Sequence, residues 1–319
     1  MAARATRSAS RKARRAEEAV ATGPLGALSH DELGVIFDGL ADPLQPVVAV
    51  ALSSTCLGLR TPLAAALKVL EGQHERAVAL CRRFDMSCSE MYDEVKLDWK
   101  SFDPTIAFDM TCAATLGMIL RRNGLPTLQE LDLGESNLGD AGVQALCEGL
   151  GPGSLPSLCD LSLNCVGVGP AGAEAFAAAI RRGAMPKLEC ILLSDNSLGN
   201  QSLAAMAPAL QKLPLLCFLS FWNTGIGDEA VTSLVSNLGK DAFKALETLD
   251  LDFNKVTDKG CATLVSAIKA GALPSLTRVE LSATGAPDDP DSVVQNPASE
   301  AAMRAVEQAL EVNRQALEE

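Results

Sequence analysis

Apolar positions along this chain keep two rhythms. From residue 128 onward a leucine phrase opens at Leu128, Leu158, Leu188, Leu216, Leu246 and Leu276, at intervals of 30, 30, 28, 30 and 30 residues. In each copy apolar side chains return 3, 5 and 10 residues after the first, as in Leu128, Leu131, Leu133 and Leu138, or Leu246, Leu249, Leu251 and Val256. The two-residue step predicts a strand. Apolar pairs four residues apart, Leu146 and Leu150, Phe176 and Ile180, Met206 and Leu210, Leu234 and Leu238, Leu264 and Ile268, predict a following helix. One such unit cannot bury its own apolar face, whereas a stacked row shares a continuous core. Parallel strands stack about 5 Å apart and helices about 8 to 10 Å apart, so the row curves with its strands on the inner wall.

The phrase resembles the leucine-rich repeat family, and a period near thirty with a full helix resembles its ribonuclease-inhibitor-like subtype. The resemblance covers residues 95–286 and implies an α/β fold, a curved solenoid with parallel strands on the concave face and helices on the convex face. Residues 95–122 read as a degenerate first repeat: Val95 and Leu97 supply a strand, Trp99 and Phe102 pack beside it, and Leu116, Ile119 and Leu120 form its helix. The family carries an asparagine that bonds the turn after each strand. Asn196 and Asn254 match it, while Ser136, Val166, Thr224 and Thr284 replace it. Serine and threonine still bond locally. Val166 does not, which predicts a looser turn or a water in the second copy.

Residues between the inward leucines line the concave wall, the surface that repeat arrays offer to extended partners. Phe218, Trp222 and Phe253 are expected to cluster there with Leu192 beside them, and Asp195, Asp250, Asp252 and Glu280 around the edge. An aromatic centre inside a polar rim has the composition of a protein-binding hot spot.

Residues 25–94 read as a separate helical module. Ser29 and Glu32 form a capping box, and Leu28 and Leu33 the hydrophobic staple across it. The helix presents Leu33, Ile36, Phe37 and Leu40 and ends before Asp42-Pro43. A second apolar stretch runs from Val47 to Leu52, and Thr61-Pro62 opens a long helix with Leu63, Leu67, Leu70, Ala77 and Cys81 inward. Ile36-Phe37 and Leu40, followed by Leu52-Ser53, Thr55-Cys56 and Leu59, resemble an F-box. Ser29 stands where that family has proline, and Glu32 falls near an expected leucine. The resemblance implies docking of a ubiquitin-ligase adaptor through residues 25–60, with Leu33, Ile36, Phe37 and Leu40 as contacts and the repeats as substrate receptor. The alternative is a module that only caps the array.

Beyond the repeats, residues 287–319 read as an acidic, proline-interrupted loop and a capping helix. Asn296-Pro297 starts that helix, and Met303, Val306, Leu310 and Leu317 close the core. Residues 1–24 form a basic tail. Six basic groups and no acid fall in its first fifteen residues, so the net charge of -13 leaves -19 on the remainder. An acidic body repels phosphate and argues against nucleic-acid binding. The tail suits a nuclear import signal, an organelle transit peptide or a disordered end. With no membrane-length apolar run, the location expected is cytoplasmic or nuclear.

Ten cysteines and two histidines in 319 residues give neither a disulfide scaffold nor a His-ligated metal site. No CxxC pair occurs, and Cys81 and Cys88 lack a matching histidine. The literal dinucleotide pattern Gly167-Val168-Gly169-Pro170-Ala171-Gly172 reads as repeat geometry, since Pro170 removes an amide that would cradle phosphate. No catalytic, cofactor or metal site is expected. The leading expectation is a non-enzymatic scaffold for a protein partner on the concave face. A small-GTPase regulator is the lesser alternative, because Ran GTPase-activating proteins share the repeat subtype.

Overall fold

The computed structural model describes residues 28–54, 57–99, 108–122, 125–236, 238, 242–282 and 296–318. The basic tail, Thr55-Cys56, Phe102, and residues 283–295 with Thr284 and the acidic loop lie outside them. The chain divides into two compact units, one through Ser89 and one from Glu90 onward.

The first unit holds α1 (His30–Leu40), α2 (Val47–Ser54), α3 (Leu57–Arg83) and the start of α4 (Cys88–Asp93). The capping box forms as predicted: the Glu32 amide donates to Ser29 Oγ at 3.2 Å, and the Ser29 amide donates to Glu32 Oε2 at 2.7 Å. These bonds hold the Glu32 carboxyl below its ordinary value. Leu33, Phe37, Ala41, Ala49, Leu63 and Leu70 form the core, with Leu28, Leu52, Ala66 and Leu67 against it. One expected boundary moves, because α3 begins at Leu57, ahead of Thr61-Pro62. Pro62 therefore removes one amide near the helix start and does not open it.

The second unit alternates β1 (Lys96–Asp98), α5 (Met110–Leu120), β2 (Glu130–Asp132), α6 (Gly139–Cys147), β3 (Asp160–Ser162), α7 (Pro170–Arg181), β4 (Cys190–Leu192), α8 (Gly199–Leu210), β5 (Phe218–Ser220), α9 (Asp228–Val235), β6 (Thr248–Asp250), α10 (Asp258–Lys269), β7 (Arg278–Glu280) and α11 (Glu300–Glu318). Its seven strands form one parallel sheet in chain order. Leu97, Leu131, Leu161, Ile191, Leu219, Leu249 and Val279 stand in one row across that sheet, so the degenerate first repeat is a full member. That row is buried except for the half-buried Val279, and the residues two places on, Leu133, Leu163, Leu193, Phe221 and Leu251, are buried too. The helical pairs follow except in the first and fourth copies, where α6 stops at Cys147 and α9 at Val235, so that Leu150 and Leu238 lie beyond them.

Val166 does not sit in a loose turn. It is buried, and its turn is tied by the next copy: Asn196 Oδ1 accepts from the amides of Val166 at 3.3 Å and Val168 at 2.9 Å. Asn196 Nδ2 donates to the carbonyls of Leu163, Leu193 and Ser194. Asn254 repeats the arrangement, accepting from Thr224 and Ile226 and donating to Phe221, Leu251 and Asp252. An asparagine thus secures the copy before its own, so replacing it in one copy leaves that copy's turn bonded. Asn296 takes the same role at the end of the row. It does not start a helix: it is buried, accepts from the Val256 amide at 3.0 Å and donates to the Leu251 carbonyl at 2.8 Å. α11 begins at Glu300 behind Ser299, whose Oγ accepts from Ala302. Val306 and Leu310 of α11 are buried, whereas Leu317 is exposed.

The helix starts form a second ladder. Asp140 Oδ1 accepts from Gly169 at 2.7 Å and Gly172 at 2.8 Å, capping the helix of the following copy. Asn200 does the same for Gly227, Asp228 for Thr257 and Gly260, and Asp258 for Ser299. The second copy carries Pro170 at that place and has no such side chain to offer. The third copy starts α8 differently, through Gly199 at φ 62°, whose amide donates to the Thr224 carbonyl at 3.0 Å. Gly139 starts α6 in the same way, at φ 59° with a 2.8 Å bond to Val166. Glycine adopts this left-handed geometry without the clash other residues meet.

Candidate interaction surface on the strand face

The glycine-rich pattern of the second copy belongs to this capping ladder. A side chain at Gly172 would meet Asp140 Oδ1 at 2.8 Å and Val168 at 2.7 Å, and Gly167 holds φ 73°. The two amides a phosphate would seek are taken by a carboxylate, which repels an anion and satisfies the helix start. The pattern is repeat packing and not a nucleotide cradle.

Side chains on the open face of the sheet alternate with the buried row. Acidic groups dominate that face: Glu130, Asp132, Asp160, Asp250, Asp252 and Glu280, with Asp195 at its edge. The cations of β1 and β7 are already paired, Lys96 with Glu130 and Arg278 with Glu280, both at 2.7 Å. Burial holds Asp252 above the ordinary carboxylate range despite the Ser282 amide bond, and the charge of Asp250 adds to the rise. Glu280 is raised by burial and then by Asp250, and Asp160 by burial and then by Glu130. Asp250, Asp252 and Glu280 each place an oxygen within 4.8 Å of the others. Asp250 is itself buried and bonded, accepting from Ser220 Oγ at 2.7 Å and from the Asp252 amide at 3.0 Å.

Trp222 follows β5 and Phe253 follows β6, and their rings lie 4.9 Å apart at 53°. Both are half-buried. Phe253 has φ 57°, in a column that Glu135, Cys165, Asp195 and Asn223 occupy with φ between 49° and 60° in the other copies. Left-handed backbone is easier for Asp and Asn than for a bulky residue, and costs on the order of 1 kcal/mol for the latter. The tilted ring pair contributes about 0.5 to 1.5 kcal/mol and offsets that cost. Asn223 Nδ2 donates to Asp195 Oδ1 at 2.8 Å beside the pair, and Ser194 and Ser220 hydroxyls lie 3.0 Å apart.

The expected three-ring cluster is only a pair. Phe218 starts β5, four residues before Trp222, which separates them by about 13 Å along an extended chain. Leu192 and Phe218 are half-buried on neighbouring strands, Leu192 beside Ser220 and Phe218 beside Cys190. Sequence reasoning missed the two ladders, although an Asp or Asn twelve residues into four copies, at Asp140, Asn200, Asp228 and Asp258, was a visible signal.

In the first unit, the expected adaptor contacts are split. Leu33 and Phe37 are core residues, 6% and 2% exposed, so their side chains present nothing to a partner; Ile36 is half-buried and Leu40 is 37% exposed. Among the described residues, the other exposed large apolar groups there are Val35, Val47, Val48, Val50 and Val69.

Residues 124–147 and 245–265 match the Leucine Rich repeat family model. The seven-stranded parallel sheet with its alternating helices repeats the matched unit along the second compact unit, the fold of a leucine-rich repeat solenoid. Among solved structures, the chain is similar to a tropomodulin C-terminal domain of Caenorhabditis elegans at 16% identity, covering 65% of this chain and 95% of that one, with a TM-score of 0.37. It is also similar to an internalin of Listeria monocytogenes at 13% identity, covering 70% and 94%, with a TM-score of 0.23. No curated protein matches the chain. No helix among the described residues is long and apolar enough to cross a membrane.

Proposed function

We propose that the protein is an interaction scaffold whose strand face takes an extended protein segment bearing Arg or Lys, seated at Trp222 and Phe253. The observation that carries this reading is the half-buried ring pair at 4.9 Å on a face where acidic groups outnumber the cations Lys96 and Arg278, each already paired with a glutamate. A guanidinium over an indole face gains roughly 0.5 to 2 kcal/mol. Asp195, Asp252 and Glu280 supply carboxylates close by, and Phe218 and Leu192 extend the apolar floor. Large aromatic groups with adjacent carboxylates suit such a hot spot better than a nucleic acid, which the same charges repel.

Panning a randomised peptide display library on the full-length chain tests this. Selected peptides should be rich in Arg and Lys and should bind Trp222→Ala at least tenfold more weakly. Peptides that carry no basic excess, or that bind the variant equally, refute the reading.

A second reading concerns the first unit. Val47, Val48 and Val50 expose 74%, 56% and 45% of their surface on the eight-residue helix α2, with Val35 and Leu40 exposed on α1. These groups support adaptor docking of the F-box kind, through this exposed set together with Ile36 and not through Leu33 or Phe37. Purified adaptor subunit should bind the full chain and lose binding to Val47→Asp/Val48→Asp; absence of binding to the unaltered chain ends this reading.

A further inference from the structure

Cys81 lies in the last turns of α3 and Cys88 is the first residue of α4. Between them the chain reverses sharply. Asp85 adopts φ 54°, and the Phe84 and Met86 amides both donate to the Cys81 carbonyl, at 3.1 and 3.0 Å. This turn returns Cys88 onto the helix end it has just left, with Sγ 3.7 Å from Sγ of Cys81. A disulfide is about 2.05 Å long, so small side-chain rotations with a slight approach of the two residues suffice to close the pair.

The geometry points to Cys81 and Cys88 as a reversible dithiol switch, oxidised by a hydroperoxide or a low-molecular-weight disulfide to a cross-link between the end of α3 and the start of α4. The two members differ in access: Cys81 is 1% exposed, whereas Cys88 is half-buried. Burial, and then the adjacent Cys88, push the Cys81 thiol up to about 12, which leaves it a poor first reactant. Cys88 therefore meets the oxidant. Its sulfur attacks the peroxide, the O–O bond breaks, and Cys88 becomes a sulfenic acid while the peroxide leaves as alcohol or water. The Cys81 sulfur then attacks that sulfur, losing its proton, and the hydroxyl leaves as water. Overall two thiols give up two electrons and two protons, and the peroxide takes them. With glutathione disulfide the same exchange passes through a mixed disulfide on Cys88 and releases two thiols. The cross-link lies next to the boundary after Ser89, where the chain passes from the first unit to the second.

The test is oxidation of the reduced, full-length chain with hydrogen peroxide or glutathione disulfide, alkylation, and tryptic digestion without reduction. Arg82 and Arg83 separate the two cysteines, so the link joins residues 77–82 to residues 84–96 and is read directly by mass. This linked pair is expected in most molecules, reversed by dithiothreitol. Cys88→Ser should abolish it and leave Cys81 unmodified at the same dose. Cys81→Ala should trap Cys88 as sulfenic acid or a glutathione adduct at least tenfold more than in the unaltered chain; if that buried change prevents folding, the accessible Cys88→Ser carries the test. Progression of Cys88 to sulfinic acid with the linked pair under a tenth of molecules, or prior cross-linking of other cysteines, overturns the assignment.

Discussion

The two units bury apolar residues by different means. In the repeat array each core position recurs, as in the row from Leu97 to Val279, and the turns at Val166, Thr224 and Val256 and several helix starts are secured by a side chain from an adjacent copy or the segment after the last strand. In the first unit the core is a single set around Phe37, and its well-marked helix start is local, made by Ser29 and Glu32 alone. The array therefore spreads its specificity over copies, so that one copy lacking its asparagine or its capping carboxylate still folds in register. The helical unit has no second copy to draw on. It also leaves valines exposed on α1 and α2, whereas the array keeps most of its large apolar groups inward and displays a compact aromatic pair.

The largest expected effect comes from the single-copy core. Phe37→Ala should cost roughly 3 to 5 kcal/mol and abolish protection of α1 amides while β2 to β6 remain protected, as hydrogen exchange would report. Equal loss in both units would erase the distinction. In the array, Asn254→Ala removes a buried amide that serves five backbone groups of two copies and one hydroxyl, and should cost on the order of 3 kcal/mol in denaturant unfolding. A cost under 1 kcal/mol would mean that copies secure themselves. Asp140→Ala uncaps α7 from the preceding copy and should cost about 1 kcal/mol, with faster exchange at Gly169 and Gly172 as its signature. Pro170 already lacks that group, so Pro170→Ala should leave the start of α8 unchanged.

The smallest effect is a pH dependence. Asp252 and Glu280 have folded values raised by burial and by neighbouring charge, so folding disfavours their charged forms. Their contribution is fully present where both states are protonated, below the ordinary carboxylate values, and is lost as the folded groups give up their protons. From this pair alone, stability is highest at and below the ordinary carboxylate values and falls as pH rises through the raised folded values. Asp252→Asn should flatten that fall on the alkaline side of the ordinary carboxylate value of about 4. A steeper slope in the variant would contradict the cause assigned to the shift.

Much of the array was legible because its signal is periodic. Six copies agree at Leu128 and its counterparts, and a slip by one residue would have turned every inward leucine outward. The departures are places where the pattern hands its task to another residue. Val166 looked deficient because the asparagine was sought in its own copy, while the bonding residue is Asn196 of the next. Asn296 looked like a helix start because forty residues separate it from the turn it completes at Val256. The site was legible as a set of outward residues but not as a cluster. Alternation along a strand identifies a face, and it does not say that Phe218 and Trp222 stand too far apart for ring contact. Nor does composition foretell that Phe253 would accept a left-handed backbone beside Trp222. In the first unit, an apolar stripe at Leu33, Ile36, Phe37 and Leu40 gave no means of separating core from contact surface, and Leu33 and Phe37 proved to be core.

The central claim is that the array binds through the ring pair on its acidic strand face. Its most direct test is the dissociation constant of a selected Arg- and Lys-rich peptide for the full-length chain and for Trp222→Ala, with unfolding midpoints recorded for both. The prediction is a weakening by about 2 kcal/mol, near thirtyfold, with closely similar midpoints. An unchanged dissociation constant at equal stability would contradict it.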